Sequence, residues 1–180
     1  MDFIHTIPNP EHRLMVAIGL CCGMRVGEII ELQHRDIATE TITVRKTKCR
    51  TDANGNKKVP YRNIPMPGWL QEMCRDVLPK IKRTNNPASP VFTCERTGLK
   101  LKEGGANKRL RTIFGNFDVG DQIPTFHMLR ITAATHLYNE CGHDLGIPQT
   151  FLGHASVATT AIYVRRDRTV FENHYKSAFG

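Results

Sequence analysis

The chain has 180 residues, which is enough for one domain with a sizeable core and possibly a small lobe beside it, but not for two full domains. Its 25 Lys and Arg against 17 Asp and Glu give a formal net charge of +8, which favours nucleic acid as the partner. The N-terminus lacks a basic region followed by an apolar run, and no apolar stretch approaches spanning length, so we expect neither a secreted nor a membrane protein.

Two helices are predicted first. Asn9, followed by a proline, is a typical N-cap, and apolar residues repeat at helical spacing as far as Gly23. A second helix is predicted from about Met24, and it places Arg25 and Glu28 together near its N-terminal end.

A β-hairpin with a basic tip is predicted next. The segments 41–45 and 59–64 are rich in β-branched residues, and DANGNKK between them contains an Asn-Gly turn signal. The remaining predicted elements are, in chain order, a helix over 68–81, a loop over 85–90, a basic helix within 103–117, a long helix from Thr125 to about 141, and a shorter helix over 147–152. The predicted class is therefore α+β, mainly α-helical, with a small antiparallel hairpin sheet.

The six cysteines have no spacing typical of a zinc site. Cys21 and Cys22 are adjacent and the others stand alone, so no CxxC pair is present. We expect reduced thiols in a cytoplasmic protein.

Several polar residues are candidates for chemistry, although each has a simpler structural interpretation. His127 and Arg130 are three apart on one helix, where two donors could meet a phosphate, but an ordinary amphipathic helix would look the same. Arg25 at a helix start suits an anion and Glu28 could orient it, but such a pair is more often a surface ion pair.

A histidine and a tyrosine near the C-terminus complete the candidates. His154 follows a glycine that permits a sharp turn, and Tyr163 lies nine residues later in a short helical run. The tyrosine is either a buried filler with one hydrogen bond or a nucleophile.

Three segments, taken in order, resemble the tyrosine recombinases, also called the phage integrase family. GMRVGEIIELQHRDI resembles the first arginine motif, TFHMLRITAATHLYNECG the second, and FLGHASVATTAIY the segment that ends in the nucleophile. The resemblance covers nearly all of the chain and implies the catalytic-domain fold of that family.

The resemblance implies a role for each candidate. Arg25 and Arg130 would hold the scissile phosphate, and His154 would add a hydrogen bond as charge builds. Tyr163 would attack the phosphorus to form a 3′-phosphotyrosyl linkage, with His127 as the acid–base group.

The resemblance also implies a hairpin lysine that protonates the leaving 5′-oxygen. Lys46 is the better match and Lys48 the alternative. Ile131 stands where many members have a second histidine, which casts little doubt on cleavage. Bond energy is retained in the phosphotyrosyl link, so the implied site needs no cofactor, metal or ATP.

Site-specific recombination of double-stranded DNA is the function that the resemblance implies, with self-association into a tetrameric synapse and a nucleoid-associated location. Members usually carry an N-terminal DNA-clamping domain, so we expect residues 1–180 to be a catalytic fragment or a minimal member. Three alternatives are a topoisomerase-like strand relaxer, a DNA-binding module without catalysis, and a His-based metallohydrolase, for which no HExxH motif is present.

Overall fold

The computed structural model describes residues 2–45, 50–51, 57–58, 61–81, 84–115, 124–142, 144–154 and 157–163. The chain divides into two compact units, residues 1–133 and 134–180, and each is considered by itself. Among the described residues, no helix is both long and apolar enough to cross a membrane.

Helices make up most of the first unit. They are α1 (Asp2–Thr6), α2 (Pro10–Cys21), α3 (Val26–Ile30), a 3₁₀ helix (His34–Asp36), α4 (Gly68–Ile81) and α5 (Glu103–Phe114). The predicted start of α2 is confirmed, because the Asn9 side chain accepts a hydrogen bond from the backbone N–H of His12 at 3.1 Å. Gly23 ends the first helical segment with φ of 54°, a left-handed conformation that glycine adopts without strain.

The predicted hairpin strands are present. β1 (Thr41–Arg45) and β4 (Tyr61–Pro65) are antiparallel, with Val44 opposite Arg62. Between them, β2 (Arg50–Thr51) pairs with β3 (Lys57–Lys58), also antiparallel. The Asn-Gly turn and residues 46–49, which include both candidate lysines, lie outside the described residues.

Helix α2 lies in the core of the first unit and contacts α1, α3, α4 and α5. Its residues Leu14 to Ile18 are fully buried. A buried ion pair ties α2 to α5: Arg109 donates to the Glu11 carboxylate and to the carbonyl of Thr93, both at 2.6 Å. The pair is tolerated in the core because these hydrogen bonds compensate for the loss of water.

The long predicted helix is α6 (Phe126–Glu140), and its N-terminal half belongs to the first unit. The Thr125 hydroxyl accepts from the backbone N–H of Met128 at 3.2 Å, as the predicted cap requires. A Cβ atom added to Gly19 of α2 would lie 3.2 Å from the Phe126 ring, so the start of α6 packs closely on α2. This packing fixes the turn of α6 that carries Arg130.

The second unit contains the C-terminal half of α6 together with α7 (Gly146–Leu152) and α8 (Val157–Tyr163), and α7 contacts α8. Gly142 has φ of 67° and follows α6, as predicted. Residues 164–180 lie outside the described part of the chain.

Candidate active site

A buried glutamate lies at the centre of the site in the first unit. Glu28, on α3, is 6% exposed. Its carboxylate accepts two hydrogen bonds from Arg62, at 2.8 and 3.0 Å, and one from the backbone N–H of Arg25 at 2.9 Å. Arg25 and Glu28 do form an ion pair, as the sequence suggested, but the carboxylate is buried instead of lying at the surface, and its main partner is an arginine on β4.

Two further guanidinium groups face the same carboxylate. Arg25 Nη1 lies 3.4 Å from Glu28 Oε1, and Arg130 Nη1 lies 3.9 Å from Oε2. Burial by itself would raise the pKa of Glu28, but the hydrogen bonds and charge of Arg62, the Arg25 N–H and the charge of Arg130 together lower it. Glu28 is therefore ionised at neutral pH, and three cations surround one anion.

Arg130 and Arg25 differ in exposure. Arg130 is 1% exposed, and its Nη1 donates to the backbone carbonyl of Gly23, in the turn between α2 and α3. The Arg25 side chain is 47% exposed. Arg130 is thus fixed within the protein, whereas Arg25, at the N-cap of α3, can contact an anion from solvent.

The predicted partnership of His127 with Arg130 is only partly reproduced. Both lie on α6, one turn apart, but His127 is exposed while Arg130 is buried. The arginine belongs to the cluster around Glu28, and the histidine lies at the surface of the same helix.

His154 is held by hydrogen bonds within the second unit. Gly153 ends α7 with φ of 65° and ψ of 38°, which confirms the predicted turn before the histidine. The His154 backbone N–H donates to the carbonyl of Gln149 at 3.0 Å, and the Gln149 side-chain amide donates to the His154 carbonyl at 3.3 Å. The imidazole is 9% exposed, and its Nδ1 lies 3.0 Å from Thr160 Oγ1.

Thr160 connects this histidine to the helix that carries the candidate nucleophile. Thr160 is fully buried and lies on α8, three residues before Tyr163, the last residue of that helix. The predicted helical run before Tyr163 is confirmed. A hydrogen bond at Nδ1 helps to fix the orientation of the imidazole ring.

Sequence interpretation missed Arg62 and Thr160. Arg62 lies two residues from buried Ile64 on β4, so strand alternation places both on the same face of the hairpin, and this was a usable signal. Thr160 lies one helical turn before Tyr163, but nothing in that spacing identifies its partner.

The described part of the chain shows neither a disulfide nor a cluster of metal-binding side chains. The cysteines in it are Cys21, Cys22, Cys74, Cys94 and Cys141. Burial raises the pKa of Cys21 to about 12 and that of Cys74 to about 11. Within the described ranges, no three His, Cys, Asp or Glu side chains gather as metal ligands would.

These features are the ones that the three motifs predicted for a recombinase catalytic domain. They are a mainly helical fold with a pair of hairpin strands, an arginine cluster around a buried carboxylate, and a histidine followed by a helix that ends in a tyrosine. The sequence model of the Phage integrase family matches residues 1–169. The chain belongs to this family, that of the tyrosine recombinases.

Curated relatives agree with the family assignment. The chain is 33% identical over 181 residues to tyrosine recombinase XerA of Pyrococcus furiosus, covering 97% of this chain and 56% of the relative. It is 31% identical over 159 residues to tyrosine recombinase XerC of a Roseiflexus species, covering 87% of this chain and 49% of the relative. The chain therefore spans about half the length of these relatives.

Solved structures support the fold. The crystal structure of XerA recombinase superposes with a TM-score of 0.79 at 24% identity, covering 99% of this chain and 62% of that one. XerH recombinase bound to its difH substrate gives a TM-score of 0.72 at 24% identity, covering 96% of this chain and 50% of the other. The predicted mainly α-helical recombinase fold is confirmed.

Proposed function

We propose that residues 1–180 form the catalytic domain of a site-specific DNA recombinase. It cleaves and rejoins DNA strands through a 3′-phosphotyrosyl intermediate, in integration, excision or resolution. Membership of the tyrosine recombinase family supports this function. So does the DNA in related structures, such as XerH with difH substrate and lambda integrase as a dimer on a core site.

Arg25, Arg130 and His154 are the proposed ligands of the scissile phosphate. The single observation that best supports a phosphate site is the convergence of arginine side chains on one buried carboxylate, because it concentrates positive charge beside a helix N-terminus. His154, oriented by the contact between its Nδ1 and Thr160, would donate a hydrogen bond to an oxygen of the phosphate.

Tyr163 is the proposed nucleophile. Its phenolic oxygen attacks the phosphorus and the 5′-oxygen of the DNA leaves, so one phosphodiester replaces another and no cofactor or ATP is needed. His127 would take the phenolic proton, since a free tyrosine with a pKa of about 10 holds it at neutral pH. Lys46 would protonate the leaving oxygen, and Glu28 supports the arginines.

Double-stranded DNA is the proposed substrate, and self-association on DNA into a tetramer is the proposed assembly. A formal charge of +8 is consistent with binding to a phosphate backbone. The corresponding location would be cytoplasmic, on the nucleoid.

Covalent trapping tests the proposal directly. The protein is incubated with a pool of nicked duplexes with randomised flanks, in which cleavage next to the nick releases a short strand and prevents religation. Adducts that survive denaturing detergent are isolated, and their DNA is sequenced to identify the site. We expect an adduct with the wild-type chain and none with Tyr163→Phe, which removes only the nucleophilic oxygen.

The same protein and DNA pool distinguish the proposed recombinase from a DNA-binding module, a strand relaxer and a metal-dependent enzyme. Binding to the pool without an adduct would indicate a DNA-binding module and contradict the proposal. Relaxation of a supercoiled plasmid with the selected site, without exchange between two such plasmids, would indicate a strand relaxer. Adduct formation that is abolished by EDTA would contradict the metal-free mechanism.

A further inference from the structure

Among the arginines that the structure describes, Arg62 makes the closest contacts with the Glu28 carboxylate. Its two Nη atoms lie 2.8 and 3.0 Å from the two oxygens of Glu28, a parallel bidentate geometry. The Arg62 side chain is 10% exposed and that of Glu28 is 5% exposed. The pair is therefore largely shielded from solvent, and it connects strand β4 to helix α3.

The other two arginines are held more loosely by the same carboxylate. Arg25 Nη1 is 3.4 Å from the nearest Glu28 oxygen and Arg130 Nη1 is 3.9 Å away, both beyond the usual length of a charge-assisted hydrogen bond. With Arg62 bound to it, Glu28 positions these side chains without pairing fully with either.

The charge balance of the cluster also indicates that Arg62 keeps Arg25 and Arg130 from pairing closely with Glu28. Three guanidinium groups and one carboxylate leave a net charge of +2 in this cluster. Without Arg62 the net charge would be +1, and the buried carboxylate would have to draw Arg25 or Arg130 closer to remain paired. Those are the guanidinium groups proposed to bind the phosphate.

We propose that Arg62 is a positioning residue of the active site, which occupies the Glu28 carboxylate and so keeps Arg25 and Arg130, the proposed ligands of the scissile phosphate, from being drawn into a close pair with that carboxylate. This inference rests on the proposed function, because it concerns the same phosphate site.

Arg62→Gln is the test variant, and Arg109→Gln is its matched control. Arg109 is also a buried arginine, with a side chain 9% exposed, that donates to a buried glutamate, but it pairs with Glu11 between α2 and α5. Both variants lose a buried ion pair of the same type, so a purely structural contribution of Arg62 would be matched by Arg109→Gln.

The measurement is the rate of adduct formation in a single turnover, with saturating protein, on the duplex recovered by trapping. We expect Arg62→Gln to lower this rate roughly tenfold to hundredfold, as expected for coupled charged neighbours. Arg109→Gln is expected to stay within about threefold of wild type at a temperature where both variants are folded. Equal rates for the two variants would overturn the proposal.

A second substrate distinguishes positioning from general damage. A methylphosphonate at the scissile position replaces one charged oxygen by a methyl group, so the arginines have less charge to neutralise. The defect of Arg62→Gln relative to wild type should shrink to below about threefold on this substrate. A defect of the same size on both substrates would show that Arg62 does not act through the phosphate ligands.

Removing the Glu28 carboxylate together with Arg62 should restore part of the cleavage rate that Arg62→Gln loses. In the double variant Glu28→Gln and Arg62→Gln no buried carboxylate is left to attract Arg25 or Arg130, so we expect it to cleave faster than Arg62→Gln alone.

If Arg62→Gln is unfolded at the assay temperature, Arg62→Lys replaces it, because lysine keeps the cation but cannot form the two parallel hydrogen bonds. A wild-type rate for Arg62→Lys, or no rescue in the double variant, would contradict the inference.

The result for the wild-type protein distinguishes failure of the proposed function from failure of the inference about Arg62. If neither wild type nor Tyr163→Phe forms an adduct, the proposed function has failed. If wild type forms an adduct and Arg62→Gln behaves as Arg109→Gln on both substrates, only the inference about Arg62 has failed.

Discussion

Replacing Thr160 by valine tests whether the second unit orients His154 through one hydroxyl group. Valine has nearly the same shape as threonine, so the fully buried position stays filled and only the oxygen facing Nδ1 is lost. A methyl group 3.0 Å from the ring nitrogen cannot hydrogen-bond to it, and the ring is free to turn towards another partner.

The geometry sets the expected size of the effect. A neutral hydrogen bond contributes about 0.5–1.5 kcal/mol, and a buried polar atom left without a partner costs about 1–3 kcal/mol. Since His154 is 9% exposed, we expect Thr160→Val to lower the free energy of unfolding by about 1–3 kcal/mol. Loss of an oriented donor to developing charge typically lowers a rate about a hundredfold or more. Valine leaves the imidazole in place, so we expect a smaller loss, of about tenfold.

Single-turnover adduct formation and urea unfolding measure the two effects separately. Thr160→Ser keeps the hydroxyl group and should recover most of the rate, although it loses a buried methyl group. His154→Ala sets the maximum loss. If Thr160→Val forms the adduct at the wild-type rate while His154→Ala is slow, the hydroxyl does not orient the histidine and the reasoning is refuted.

Two further predictions concern stability. The lowered pKa of Glu28 means that its contribution to stability is complete above its ordinary value of 4.5 and is lost as the pH falls through the folded-state value. Between about pH 6 and pH 3, wild type should therefore lose more unfolding free energy than Glu28→Gln, and parallel urea titrations of the two would contradict this. Arg109→Gln leaves the Glu11 carboxylate buried without its charged partner and should lower the unfolding free energy by about 3–5 kcal/mol. Replacing both residues, as in Glu11→Leu with Arg109→Met, should recover most of that loss in the same urea titration, because no isolated charge remains.

Much of the fold could be predicted from local sequence signals. The Asn9 and Thr125 caps, the left-handed Gly23 and the alternating strands of the hairpin act within a few residues of the elements that they bound. The helix predicted over 68–81 has the same bounds as α4. These signals are local because caps, turns and alternation depend on hydrogen bonds and side chains close in sequence.

The contacts of the candidate site could not be predicted in the same way. Glu28 and Arg62 are 34 residues apart, and the spacing of Glu28 suggested only Arg25, at the N-cap of the same helix. Arg130 looked like half of an exposed helical pair with His127, whereas it is buried beside the Gly23 carbonyl, 107 residues away in sequence. Such partners depend on how β4 packs against α3 and how α6 packs near the turn after α2, for which the sequence carries no short-range signal.

The position of Glu28 raises the question of why a site proposed to bind phosphate contains a buried carboxylate. Two guanidinium groups about 4 Å apart repel each other by on the order of 4 kcal/mol at an effective dielectric constant near 20. Without a bound phosphate, repulsion of this kind acts among Arg25, Arg62 and Arg130. One carboxylate at the centre offsets part of it and fixes the side chains. Because the cluster keeps a net positive charge, it would still attract a phosphate to the half-exposed Arg25 side chain.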